Sequence, residues 1–330
     1  MSSNTITRMR AALGGLATAT FVPAPKTAWE VNEVGSSVAF IVGGLFGSVP
    51  NVEIGLWKAG APPQTCIIVC DPNTDPGNRN GRHRFLISDT VNLTVKNTAG
   101  GAANVSIVGK RVIPNNVKSN IVTIPPPGTS IVTIDPGVGQ GILVTEIGSD
   151  VWTVGPADIN PNIDVGFAYG GLVASKFWDS THTKGHDENL DLYVHHICQL
   201  QFTDIGAAGC DVGYCAEVAS GVRSYVEDIP VVGVNGHMHV TPTDGEEWLV
   251  TGVGAETYTV AAPNGYPDVA VAIRVGADLS DLAKAALPSS AWEYGIRARI
   301  DHTNDMQITN ANAGTNEVCV SAVMVRQYKS

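Results

Sequence analysis

Apolar residues fall on every second position in three short stretches that otherwise share few identities: PNVEIGLWKAG at 50–60, PNIDVGFAYGG at 161–171 and PDVAVAIRVGA at 267–277. Strand side chains alternate faces with period two, so each stretch predicts a strand with one apolar face. That face carries Val52, Ile54 and Leu56 in the first, Ile163, Val165 and Phe167 in the second, and Val269, Val271 and Ile273 in the third. Two further blocks recur around these in the same order. Upstream stand WEVNEVGSS (29–37), ILVTEIGSD (142–150) and WLVTGVGAE (248–256), each an apolar strand closing on glycine after a proline-containing turn. Downstream stand LTVKNTAGGAANVSI (93–107), LQFTDIGAAGCDVGY (200–214) and MQITNANAGTNEVCV (306–320). There, alternating strands flank a loop of Asn, Asp, Gly and Ala, which predicts a β-hairpin. The polar turn opener (Asn97, Asp204, Asn310) precedes the valine of the return strand (Val105, Val212, Val318) by eight positions each time.

Recurrent order and spacing make the chain one module written three times, with Asn97 and Asp204 lying 107 positions apart. The expected division is an N-terminal arm over 1–16 and repeats, each with its linker, over 17–129, 130–235 and 236–330. PNNVKSNIVTIPPPGTS and GVRSYVEDIPVVGVN, between the repeats, read as linkers or as extra strands along a module edge. Short strands punctuated by Gly, Pro, Asn and Asp predict an all-β fold of three tandem β-sandwich or jelly-roll-like units. The persuasive helical pattern inside the repeats is DLSDLAKAALPSS (278–290), where Asp278 would cap a short helix that Pro288 ends.

Composition narrows the function classes. With 44% apolar and 15% charged residues the chain has a globular balance. A net charge of -11 and the lack of a basic stripe argue against direct binding of nucleic acid. No run approaches the roughly 18 apolar residues of a membrane-spanning helix. Only the N-terminus is basic, with Arg8, Arg10 and Lys26 ahead of the first acid, Glu30. Its apolar stretch is short and glycine-interrupted, so an uncleaved arm is expected rather than a secretory signal. Ile6, Met9, Leu13 and Leu16 fall at helical spacing, which predicts an arm that folds against a partner surface.

Candidate chemistry is sparse. The six cysteines do not recur at equivalent repeat positions, so they are expected to be packed thiols rather than a shared disulfide framework. His182, His186, His195, His196, Cys198, Cys210 and Cys215 crowd the second repeat without a standard zinc spacing. Cys198 and Cys215 would face each other across the predicted hairpin. His237 and His239 share a strand face, too few ligands for a metal site. No nucleophile elbow, zincin helix, P-loop or dinucleotide fingerprint is present, and GVGQG at 137–141 lies in a turn. A non-enzymatic protein without a cofactor is therefore expected.

An acidic, glycine-rich chain with three sandwich repeats and a basic, apolar arm resembles the structural proteins of tailed-bacteriophage virions, especially head-decoration, head-fibre and tail-associated components. The resemblance is architectural and covers residues 17–328. It implies a virion protein made in the host cytoplasm, assembled with other virion structural proteins or as a homo-oligomer. The arm residues Ile6, Arg8, Met9, Arg10, Leu13 and Leu16 would anchor it. Two other readings compete. One is a receptor- or glycan-binding fibre that stacks sugars on Trp57, Trp152, Phe177, Trp178 or Tyr258. The other is a hydrolase whose site has no recognisable motif.

Overall fold

The computed structural model describes residues 6–15, 17–36, 41–42, 48–49, 52–60, 67–70, 83–97, 101–126, 130–150, 152–154, 159–161, 163–169, 173–178, 191–204, 209–229, 236–256, 258–261, 264–267, 269–276, 278–284, 296–310 and 314–328. These residues form thirty strands and no α-helix. The first module contributes β1 (Ile6–Leu13), β2 (Thr18–Phe21), β3 (Ala28–Ser36), β4 (Ile41–Val42), β5 (Ser48–Val49), β6 (Val52–Lys58), β7 (Ile67–Cys70), β8 (Phe85–Ser88), β9 (Val91–Asn97) and β10 (Ala103–Val112). The second contributes β11 (Asn120–Ile124), β12 (Ile131–Ile134), β13 (Gly141–Ser149), β14 (Trp152–Val154), β15 (Ile159–Pro161), β16 (Ile163–Tyr169), β17 (Val173–Trp178), β18 (Leu192–His195), β19 (Cys198–Asp204) and β20 (Cys210–Ala219). The third contributes β21 (Tyr225–Ile229), β22 (His237–Val240), β23 (Glu246–Ala255), β24 (Tyr258–Ala261), β25 (Asn264–Pro267), β26 (Val269–Val275), β27 (Asp278–Lys284), β28 (Ala298–Asp301), β29 (Asn304–Asn310) and β30 (Asn316–Gln327). Strands numbered ten apart are equivalent.

In each module two antiparallel layers of four strands face each other, ordered β1-β10-β3-β8 and β2-β9-β6-β7 in the first, with the same orders in the second and third; β7 also pairs with β13 through Ile68↔Ser149, which joins the second layer of the first module and the first layer of the second into one eight-stranded sheet. This is the winding of an eight-stranded jelly roll, with a two-stranded hairpin (β4-β5, β14-β15, β24-β25) inserted after the third strand. The alternation read from sequence sets the cores. Ile54, Leu56, Ile163, Val165, Phe167, Val269 and Val271 are all buried, each in the cluster of its own module. On the opposite parity Glu53 pairs with Lys96 at 2.8 Å and Asp164 with Lys176 at 3.3 Å. Asn97, Asp204 and Asn310 occupy one shared position, since their amides bond the carbonyls of Ala17, Ser130 and Gly236. Asn97 and Asn310 also donate from the side chain to Gly101 and Gly314 at 2.7 and 2.8 Å.

Three expectations are corrected and one open alternative is decided. The predicted hairpins are corners: β9 lies in one sheet and β10 in the other, and likewise for β19 with β20 and β29 with β30. Alternation and turn chemistry are the same for a hairpin and for a chain crossing between sheets, so the pattern does not separate them. The predicted N-terminal helix is a strand, β1, paired with β10 over eight residues from Ile6↔Lys110 to Leu13↔Ala103. Met9, Ala11 and Leu13 also obey period two, and all three pack on the first core. Of the two readings of the inter-module segments, the extra strand holds: they supply β11 and β21, which pair with β20 and β30 as β1 does with β10. Each module therefore begins with the strand assigned to an arm or linker. Finally, 278–284 forms strand β27 rather than a helix, since Gly276 at φ 61° turns the chain back so that Asp278 pairs with Val275.

Candidate interaction surfaces at the seams between modules

Several buried polar side chains, Thr145, Glu146, Ser224 and Thr251 among them, gather where one module meets the next. Both seams share one set of hydroxyl contacts, and the first adds the β7–β13 pairing. β18 and β8, the sixth strands of their jelly rolls, have an outer edge free of their own sheet, and the next module meets that edge with two hydroxyls. At the first seam Thr145 Oγ1 donates to the Arg84 carbonyl at 2.8 Å, and Ser119 Oγ donates to the Leu86 carbonyl while accepting Ala216 N–H at 3.0 Å. At the second, Thr251 Oγ1 donates to the Asp191 carbonyl at 2.6 Å, and Ser224 Oγ donates to the Tyr193 carbonyl while accepting Ala322 N–H at 3.1 Å. The threonines are the unpaired residues of a β-bulge in β13 and β23, and the bulge is what aims them across the seam. Each serine stands just before the first strand of its module. Paired hydroxyls on strand-edge carbonyls satisfy groups that burial would otherwise leave costly.

Packing locks the same seams. Cys215 of the second module joins the core cluster of the first, and Cys319 of the third joins that of the second. Gly254 of β23 lies so close to β17 that a Cβ would come 2.2 Å from the Lys176 carbonyl, so only glycine fits there.

Ion pairs cross both seams, with Arg297 bonded to Asp191 at the second. Arg84 bonds Glu217 across the first seam at 2.6 Å, with Glu30 at 3.8 Å and Asp191 at 3.9 Å. Burial works against the guanidinium charge, but Glu217, Glu30 and Asp191 more than offset it. Burial likewise opposes the Glu30 charge, yet Asn32, Lys110 and Arg84 hold its carboxyl below the usual range. Asp191 is pushed up by burial although Arg297 and Arg84 both favour its charge. Beside this network a cleft of about 420 Å³ is lined by Glu30, Arg84, Lys110, Arg111 and Glu217. The corresponding cleft of the second seam, about 650 Å³, is apolar at its rim, where Val138, Ile197 and Val218 are exposed near His195 and His196.

His83 is 5% exposed, its Nδ1 has no hydrogen-bond partner, and its ring stacks on Phe85 at 4.7 Å. The Glu146 carboxylate is 4.0 Å away, beyond hydrogen-bond distance, and already accepts Arg84 N–H at 2.7 Å. Burial therefore decides, and pulls the imidazole down to about 4. Between pH 6.5 and 4 the unfolded chain binds the proton that the folded one refuses, so stability is lost as pH falls through that window. His83→Phe keeps the stacked ring and removes the proton site. Urea melts at pH 7 and pH 5 should show the wild type losing about 2 kcal/mol more than the variant. Equal losses would mean that His83 does not titrate in this way.

The remaining sequence candidates do not converge. His182 and His186 lie outside the described residues. His195 bonds the Ser224 carbonyl at 2.7 Å, and His196 pairs with Asp135 at 2.9 Å. Cys198 belongs to the second core while Cys215 belongs to the first, so the expected proximity fails for the same reason the hairpin did. Burial pushes the Cys198, Cys215 and Cys319 thiols well up, and Cys210 to about 11, which keeps them protonated and inert. His237 and His239 do share an exposed face, with rings 5.1 Å apart. Among the described residues no group of three or more His, Cys, Asp or Glu is placed to hold a metal ion. No helix of the described residues is long and apolar enough to cross a membrane. Of the proposed sugar-stacking aromatics, Trp57 is half-buried with Nε1 buried and unpartnered, while the side chains of Trp152, Phe177, Trp178 and Tyr258 lie outside the described residues. Leu16 of the proposed anchor also lies outside them, and Ile6, Arg8, Met9, Arg10 and Leu13 are residues of β1. Sequence reasoning missed Ser119, Thr145, Ser224 and Thr251. The signal was there as a serine ahead of β11 and of β21 and a threonine two residues after Leu143 and Leu249. No protein-family model and no curated protein matches this chain.

Proposed function

We propose that this chain is a non-enzymatic structural component of a virion, of the capsid-decoration, coat or fibre type, that assembles through its module surfaces. The observation that carries the reading is the pair of seams, with matching hydroxyl contacts, joining three jelly rolls in series. Jelly rolls serve as capsid and lectin domains. Repeated seams with satisfied main-chain groups hold such domains at fixed spacing, which suits a part whose task is to occupy and display surface. Each module also adds a further contact whose effect multiplies through effective concentration. The test is to count the chain by quantitative mass spectrometry in purified particles of the virus encoding it. A copy number matching a capsid lattice supports decoration or coat, and a few copies support a fibre or tail part. Absence from the particles would overturn the proposal.

A further inference from the structure

β22, the end strand of the sheet β22-β29-β26-β27, carries His237 and His239 on its exposed face, with the buried Met238 between them on the other. The fold itself does not call for imidazoles there. Thr18 lies opposite Lys96, Ile131 opposite Thr203 and His237 opposite Thr309, so the first module has Thr18 and Thr20 at these places and the second Ile131 and Thr133. The two rings stand 5.1 Å apart, centroid to centroid, with their planes at 84°. Asp305 of the neighbouring β29, 3% exposed, places Oδ2 3.7 Å from His239 Nδ1. Thr241 Oγ1 donates to that carboxylate at 2.8 Å, and Arg274 donates to both its oxygens at 2.8 and 2.5 Å, so the guanidinium charge beside the rings is met. At the place of Asp305 the other modules carry the neutral Asn92 and Gln199. Both histidines and the carboxylate are thus peculiar to one module.

We propose that His237 and His239 chelate a divalent late transition metal, copper, nickel or zinc, on the outer face of the third module. An ion held by two imidazole nitrogens at about 2.0 Å lies about 3.2 Å from each ring centre, and a tetrahedral angle then sets the centres about 5.2 Å apart. The observed spacing is 5.1 Å. Rotation about χ2, which is soft for histidine, turns a lone pair of each ring towards the ion without moving the strand. Asp305 stands on the Nδ1 side of His239 and favours the tautomer with its proton on Nδ1, which leaves Nε2 for the metal. Two ligands are too few for a closed structural site, and among the described residues no third His, Cys, Asp or Glu completes one. The remaining coordination positions belong to water, so the ion is exchangeable. Imidazole donors select copper, nickel and zinc over calcium and magnesium, which prefer oxygen.

The inference does not rest on the virion reading and is tested on the full chain. Isothermal titration with copper, nickel, zinc and calcium chlorides at neutral pH compares the wild type with His237→Gln, His239→Gln and the double variant. Both side chains are exposed, so each variant should keep the wild-type urea melt. The wild type should bind one more ion per chain than the double variant, copper more tightly than zinc, with calcium giving no signal. Histidines elsewhere in the chain cancel in this comparison. Each single substitution leaves one imidazole and should weaken the site at least about tenfold, because chelation makes the second bond intramolecular. Equal stoichiometry and affinity in the wild type and the double variant would overturn the inference. So would a single substitution that leaves the affinity unchanged, or calcium that competes as well as zinc.

Discussion

Val271→Asp is expected to unfold the third module, at a loss of at least about 4 kcal/mol, while Ala270→Asp one residue away costs less than about 1 kcal/mol. The two positions are neighbours on β26 and point to opposite faces. Val271 is 3% exposed within the third apolar core and pairs with Ile308. An aspartate there must either remain charged in an apolar site or take up a proton, and both are costly on the scale of a small domain's whole stability. Ala270 pairs with Thr309 on the outer parity, at the position where the first module carries Glu53 and the second Asp164. Carboxylates are already accommodated there twice. Urea melts followed by tryptophan fluorescence would rank the two variants, and equal losses would mean that the alternation does not assign the faces.

The parity behind that prediction was legible because period two is a property of the strand itself. So was the repeat: equal spacing put Asn97, Asp204 and Asn310 at one place in three jelly rolls, and their amides make the same bond. What stayed hidden was which strand pairs with which. The block from β9 to β10 has the alternation and turn residues of a hairpin, yet its strands belong to opposite sheets. Pairing depends on contacts distant in sequence, and no local pattern carries them. The error over Cys198 and Cys215 descends from this, since strands taken as neighbours lie on different walls of the sandwich.

The seams were hidden for a different reason. Ser119, Ser224, Thr145 and Thr251 are ordinary residues for a strand or its approach, and they matter only because a bulge and a neighbouring strand edge meet. Histidines and cysteines drew attention as chemical types. The structure instead gives the repeated polar contacts to hydroxyls and main-chain carbonyls, which carry no motif.

Removing residues 2–13 should melt the first module selectively. Were this segment a docking arm, its loss would leave the folded modules untouched. As β1 it forms one side of the sheet β1-β10-β3-β8 and fills the first core with Leu13, 6% exposed, and with the half-buried Met9 and Ala11. Loss of a buried leucine alone costs about 2 to 5 kcal/mol, and the two smaller contacts and the exposed flank of β10 add to it. A destabilisation of about 4 kcal/mol corresponds to roughly a thousandfold faster amide exchange through global opening of that module. Peptide-resolved hydrogen exchange should therefore show β3 and β10 losing protection by about that factor. β23 and β30 should keep theirs, because the third module has its own first strand, β21, paired with β30 from Tyr225↔Val320 to Ile229↔Asn316. Unchanged protection in β3 and β10 would return residues 6–13 to the status of an appended arm, and the equivalence of β1, β11 and β21 would fall with it.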